Sequence, residues 1–81
     1  MKVKIKTWEQ MEKEFGLYDD GEIDCTFIFS EYMEQALPED RIIDVRISPH
    51  EVSSFPVYLS DEPALKYLWF SDDMIEEIIE E

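Results

Sequence analysis

The segment Ser71-Asp72-Asp73-Met74-Ile75-Glu76-Glu77-Ile78-Ile79-Glu80-Glu81 closes the chain, and how it folds decides the architecture. Stepped at about 100° per residue, Asp72, Asp73, Glu76, Glu77, Glu80 and Glu81 occupy one contiguous half of a helical wheel. Met74, Ile75, Ile78 and Ile79 fill the other half. Ser71 is placed to act as N-cap, and the aspartates after it suit the positive end of a helix dipole. The pattern predicts an acidic C-terminal helix, its apolar half docked on a sheet and its outer half bearing only carboxylates. Asp72, Glu76 and Glu80 would form one row and Asp73, Glu77 and Glu81 another. Members of a row lie about 6 Å apart at a rise of ~1.5 Å per residue, an interval comparable with that of successive phosphates on a nucleic-acid strand. Like charges at i, i+4 cost a helix roughly 0.2–0.5 kcal/mol per pair. A surface shaped for stability alone intersperses lysines, and residues 67–81 contain none. The plain account is a solvated face, because glutamate is a good helix former; a phosphate-like face is the sharper one.

A second acidic stretch strengthens the sharper account. No base lies between Lys13 and Arg41, whereas Glu14, Asp19, Asp20, Glu22, Asp24, Glu31, Glu34, Glu39 and Asp40 intervene. Over the 81 residues, 21 acids oppose 7 bases for a net charge of −14, with a pI near 4.1. Direct nucleic-acid binding is excluded, since phosphate contacts need Lys and Arg to displace counterions. An anionic membrane surface is excluded for the same reason. With 44% hydrophobic and 14% aromatic residues, the chain is too apolar for a disordered acidic tail. One folded domain, residues 1–81, is expected. There is no apolar run of signal-peptide or membrane-span length. Cys25 is alone and permits no internal disulfide, which points to a reducing cytoplasm.

Upstream, residues 2–6 alternate lysines with Val3 and Ile5 as a strand whose lysines suit an exposed sheet edge. Thr7 and Gln10 have capping-box spacing, and Trp8, Met11 and Phe15 form one apolar stripe of a short helix that Gly16 ends. Asp19-Asp20-Gly21-Glu22 is a turn. Residues 26–29 fit either a short strand or a helix lead-in, and Ser30 can cap a second helix to about Leu37. Residues 41–47 alternate as a strand, with Ile43, Val45 and Ile47 on one side; Phe55, Val57 and Leu59 alternate again after a loop at Ser48-Pro49-His50-Glu51. Residues 66–70 make an aromatic strand leading into the last helix. The expected fold class is α+β: a small antiparallel sheet, two short helices after the first strand, and the acidic C-terminal helix.

Catalytic chemistry finds little support. His50 is the only histidine and has no second ligand at metal spacing. Cys25 and His50 lack any flanking pattern of a nucleophile and base. Residues 19–24 lack the alternating ligands, sixth-position glycine and closing glutamate of a calcium loop, and two glycines cannot make a phosphate cradle. No enzyme, cofactor or metal is expected. Trp8 and Trp69 fit apolar patterns and are expected in the core, while Phe55 and Tyr58 are the candidate exposed anchors.

Two stretches resemble a family of small proteins carried by phages and prophages of Gram-positive bacteria. One is Lys4-Ile5-Lys6-Thr7-Trp8-Glu9-Gln10-Met11, continuing to Phe15-Gly16-Leu17; the other is Trp69-Phe70-Ser71-Asp72-Asp73-Met74-Ile75-Glu76. The resemblance implies a partly open SH3-like barrel with a helical insertion and a phage setting; it carries no functional residue. Together with the charge pattern it yields one leading expectation. The protein is an inhibitor of the anti-CRISPR kind, acting in the cytoplasm of an infected bacterium. Asp72, Asp73, Glu76, Glu77, Glu80 and Glu81, joined by Asp19, Asp20 and Glu22, would imitate a phosphate backbone. They would cover the basic surface of a nucleic-acid-binding host protein such as a CRISPR nuclease. The alternative is a phage interaction or structural module without mimicry, meeting its partner through the strand at residues 2–6 or the loop around Phe55.

Overall fold

The computed structural model describes residues 1–48, 56–65 and 68–81. The expectations placed on Pro49, His50, Glu51, Phe55, Lys66 and Tyr67 fall outside these residues. In chain order the elements are β1 (Lys2–Ile5), α1 (Trp8–Phe15), α2 (Glu31–Ala36), β2 (Ile42–Ile47), β3 (Val57–Ser60), a 3-10 turn (Pro63–Leu65), β4 (Trp69–Ser71), a second 3-10 turn (Asp72–Met74) and β5 (Ile75–Glu80). The strands form one antiparallel sheet in the order β4-β3-β2-β1-β5.

The expected α+β architecture, with an SH3-like partly open barrel and an acidic closing helix, is therefore corrected. The fold is a five-stranded antiparallel sheet in a compact globule, with one eight-residue helix and otherwise only short helical pieces. The acidic segment is a strand. Its helical spacing is absorbed by two irregularities in the ladder with β1. Lys2 faces Glu80 and Val3 faces Ile78, so Ile79 is supernumerary; Lys4 faces Glu77 and Ile5 faces Ile75, so Glu76 is supernumerary. The extra Glu76 turns the three-residue step from Ile75 to Ile78, and the extra Ile79 that from Glu77 to Glu80, into one effective alternation. Glutamates thereby fall opposite lysines and isoleucines opposite Val3 and Ile5. As a helix, the same segment would bear two rows of mutually repelling acids and would be short enough to be marginal on its own. As a strand it gains a ladder, opposite-charge neighbours and a conformation suited to β-branched isoleucine.

Because β5 takes the outer place, β1 is interior and not the expected edge. Val3 and Ile5 are fully buried and pack with Ile43, Val45, Met11, Phe29, Phe70 and Met74 in one cluster. The expected roles of several side chains change with this topology. Tyr58 is buried, whereas Trp69 is about half exposed at 48% and stands edge-on to Phe27 with 5.9 Å between ring centroids. Trp8 is only partly buried, tilted against Phe29 at 5.9 Å. Ile47, expected on the same side of β2 as Ile43 and Val45, is exposed, whereas those two are buried.

Local signals place α1 firmly. The Thr7 hydroxyl accepts from Gln10 N at 3.2 Å, and Gln10 Oε1 accepts from Thr7 N at 2.8 Å. Gly16 closes the helix, its N–H donating to Glu12 O at 2.8 Å. At φ 80° and ψ 178°, Gly16 occupies a region essentially reserved for glycine. Residues 17–29 then make a compact excursion held by bridges of Ile23 to Leu17 and to Phe29. Ile23 and Phe29 are fully buried, so residues 26–29 form no full strand and no helix lead-in, only this bridge. Arg41 returns the chain to the sheet at φ 61°, a strained value for a side-chain-bearing residue. Its guanidinium compensates by donating to Ile5 O at 3.2 Å, Lys6 O at 2.6 Å and Glu34 Oε2 at 2.5 Å.

A methyl group at Gly16 would meet no atom within 4 Å, so Gly16→Ala carries a conformational penalty without a clash. It should cost about 1–3 kcal/mol in urea denaturation; an unchanged midpoint would refute the backbone assignment at the end of α1.

Candidate functional site

Each expected C-terminal carboxylate has a definite place, and together they do not make the expected ridge. Asp73 is part of the fold's framework. Its Oδ2 accepts from Thr26 N at 2.8 Å and from Thr26 Oγ1 at 2.9 Å, and its Oδ1 accepts from the buried Ser71 hydroxyl. Ser71 Oγ also accepts from Phe27 N at 3.4 Å. This network straps the excursion of residues 17–29 onto the turn that precedes β5. Asp72 accepts from the Tyr58 hydroxyl at 3.1 Å. Burial, then that hydrogen bond and the Asp72 charge, push the Tyr58 phenol above its usual range.

Glu76 accepts from Gln10 Nε2 at 3.0 Å and pairs with Lys4 Nζ at 3.5 Å. The Gln10 hydrogen bond foremost, assisted by Lys4, holds its carboxyl below the ordinary value of 4.5. Glu77 and Glu80 lie opposite Lys4 and Lys2 in the ladder, and Glu81 is exposed at the end. A continuous row of free carboxylates at phosphate spacing is thus absent. In a strand neighbouring residues point to opposite faces, and β1 lends its lysines to the outer positions.

The second group differs in kind. Asp19, Asp20 and Glu22 line a shallow depression of about 370 Å³ with Tyr18 and Ile28. Asp20 Oδ1 accepts from Glu22 N at 3.1 Å, the side-chain-to-backbone turn that Asp favours. Glu22 sits close enough to Asp20 that a carboxyl–carboxyl hydrogen bond, with lesser help from desolvation and Asp20's charge, raises its pKa above 4.5. Tyr18 donates its hydroxyl to Asp24 at 2.6 Å, a bond that also raises the phenol's pKa. Tyr18 and Ile28 are 44% and 46% exposed, so the acids rim an apolar surface. Thr26, only four residues beyond Glu22, reaches Asp73 and ties this rim to the C-terminal turn.

The cations are largely committed elsewhere. Lys4 pairs with Glu76, Lys6 with Glu14 at 2.9 Å, Arg41 with Glu34, and Arg46 with Asp61 at 3.6 Å. Among the described residues four of the six bases are thereby matched inside the molecule, and the acid surplus is left facing solvent. Among the described residues no group of three or more His, Cys, Asp and Glu is arranged to hold a metal ion. Cys25 is a free, buried thiol. Burial first, and then the Asp73 charge, push its pKa up to about 12, which leaves it an inert packing residue at neutral pH. Among the described residues no helix is long and apolar enough to cross a membrane.

Sequence reasoning missed the latch role of Asp73 and the edge position of β5. The first had a signal: Ser71 and Asp73, two residues apart, are spaced for the mutual side-chain bond that Ser and Asp make in tight turns. The second had only the isoleucine-rich composition of the segment, which favours a strand. Comparison with protein-family models, with curated proteins and with solved structures finds no match.

Two outcomes test this geometry. Asp73→Ala strips the acceptor from three donors, one of them the buried Ser71 hydroxyl, and should destabilise the fold by about 2–3 kcal/mol in chemical denaturation; a loss under 0.5 kcal/mol would remove the latch. The Cys25 thiol has its folded pKa raised from 9.0 to about 12, so its contribution to stability is complete below pH 9 and is lost as pH climbs towards 12. Denaturation midpoints of the wild type should therefore fall across that alkaline window. Cys25→Ala, destabilised at every pH by its lost packing, should show a shallower fall, and equal slopes would sink the assignment.

Proposed function

We propose that this protein is a non-catalytic inhibitor, of the anti-CRISPR kind, that covers the basic nucleic-acid-binding surface of a host defence protein inside an infected bacterium. The observation that carries the reading is the disposition of charge. Four cations are spent on internal ion pairs, and the net −14 is expressed at exposed or half-exposed acids. These include the Asp19, Asp20 and Glu22 rim and the Glu77, Glu80 and Glu81 end of β5. Such a field attracts a Lys- and Arg-rich surface and speeds encounter with it. Competition with nucleic acid then follows from shared occupancy of one basic groove. The mimicry is one of field and clustering, since the regular carboxylate row expected of a helix is absent. Asp73 takes no part in it, because its oxygens are engaged by Thr26 and Ser71.

The apolar component of the surface supports a second reading, a phage interaction module without mimicry. Leu17, Tyr18, Ile28 and Tyr32 are all exposed, Tyr32 to 67%, and large exposed side chains are the ordinary anchors of a protein interface. The interior position of β1 removes residues 2–6 as the module's docking edge.

The two separate in a mobility-shift competition. Guide-loaded CRISPR nucleases are incubated with labelled target DNA, and the protein is added at ~50 and ~300 mM NaCl. Inhibition should weaken about tenfold or more at the higher salt. The triple variant Asp19→Lys, Asp20→Lys, Glu22→Lys, all at exposed or half-exposed positions, should lose at least another factor of about ten while keeping its circular dichroism spectrum. Salt-independent binding that leaves the DNA in place would favour the module instead.

A further inference from the structure

The sheet ends at β5. In the order β4-β3-β2-β1-β5 the strand has β1 on one side and, among the described residues, no neighbouring strand on the other. Its outward backbone N–H and C=O groups therefore form an open edge, the standard template for pairing with another chain. This edge is not apolar and indiscriminate. Glu77 and Glu80 stand along it, with Ile78 and Ile79 exposed to 47% and 44%.

We propose that the outer edge of β5 accepts an extended segment of a partner protein in which lysines or arginines alternate with apolar residues, adding a sixth strand to the sheet. The inner side of the same strand shows what β5 selects. There it already holds Lys2-Val3-Lys4-Ile5, antiparallel, with Lys2 opposite Glu80, Lys4 opposite Glu77 and the apolar residues opposite Ile78 and Ile75. A second strand of that chemistry on the outer side would again place cations next to glutamates and apolar side chains next to isoleucines. A second copy of this chain fits poorly. Paired through β5 it sets glutamate against glutamate between two molecules of −14 charge, and like charges directly opposite destabilise a ladder. Paired through β4 it offers Trp69-Phe70-Ser71, without a cation. The glutamates and the two bulges thus guard the edge against like strands and leave a basic one as its occupant. Main-chain bonds would supply the register, and alternate side chains the selectivity.

The inference rests on the reading of the protein as an acidic binder and names how the partner would be gripped. It is tested without the partner, so the two can fail separately. The probe is an eleven-residue capped peptide alternating lysine and valine. Its controls are a block-scrambled peptide and two N-methylated versions, each lacking the donors of one edge. Amide exchange in Ile75–Glu80 should slow about tenfold or more with the alternating peptide. One N-methylated version should retain the effect and the other should lose it, because a β-strand pairs through one edge at a time; the block peptide should be inert. Equal effects from all four peptides would reduce the contact to unspecific charge attraction. Protection elsewhere in the chain, no protection at all, or protection that appears with protein concentration in the absence of peptide would each overturn the proposal.

Discussion

The pairing of β5 with β1 is the constraint on which the rest of the molecule depends. Residues 2–5 must bury Val3 and Ile5 completely while their lysines stay in reach of counter-charges. A strand at a sheet edge meets that demand on one side only. Flanked by β2 and β5, β1 has Ile43 opposite Val3 on one side and Ile78 on the other, with Glu77 and Glu80 opposite its lysines. The most concentrated positive charge in the chain and the most concentrated negative charge thereby face each other across one ladder. Opposite charges in that position add a few tenths of a kcal/mol or more per pair relative to alanine.

Two polar devices then fix what the sheet leaves free. Arg41 accepts a strained backbone so that its guanidinium can bind two carbonyls at the end of β1 and Glu34 in α2. Asp73 collects Thr26 and Ser71 and so sets the excursion of residues 17–29 against the C-terminal turn. Both draw charged groups into structural work. They also shape the surface, since the Asp73 carboxylate is engaged by Thr26 and Ser71 and the Arg41 guanidinium by two carbonyls and Glu34. The acidity of the surface is thus what folding leaves over: after the four internal ion pairs, acids far outnumber the remaining bases.

Legibility varied with the range of the forces involved. The start of α1 was readable because a capping box joins atoms three residues apart, and its end because Gly16 occupies a region closed to other residues. The alternation of β1 and β2 was readable because burial on one face of a strand imposes period two. The C-terminal segment misled for a related reason. Apolar residues at 74, 75, 78 and 79 satisfy a helix without exception, and they satisfy a twice-bulged strand equally well once a partner strand decides which residues are supernumerary. Trp69 and Tyr58 exchanged their expected roles because exposure in a sheet depends on what lies over each strand, which no local pattern records.

Composition alone determined that this is an acidic, aromatic-rich, single-cysteine chain, and short-range geometry alone determined its first helix and the turn at residues 19–22. Tertiary structure decided that the acidic segment is an edge strand, that its glutamates answer the lysines of β1, and that Asp73 straps Thr26 and Ser71 together. The division follows from distance. Caps, turns and charge totals are settled within a few residues or by summation, whereas the choice between helix and strand for a segment that suits both is made by a neighbour some seventy positions away in the chain.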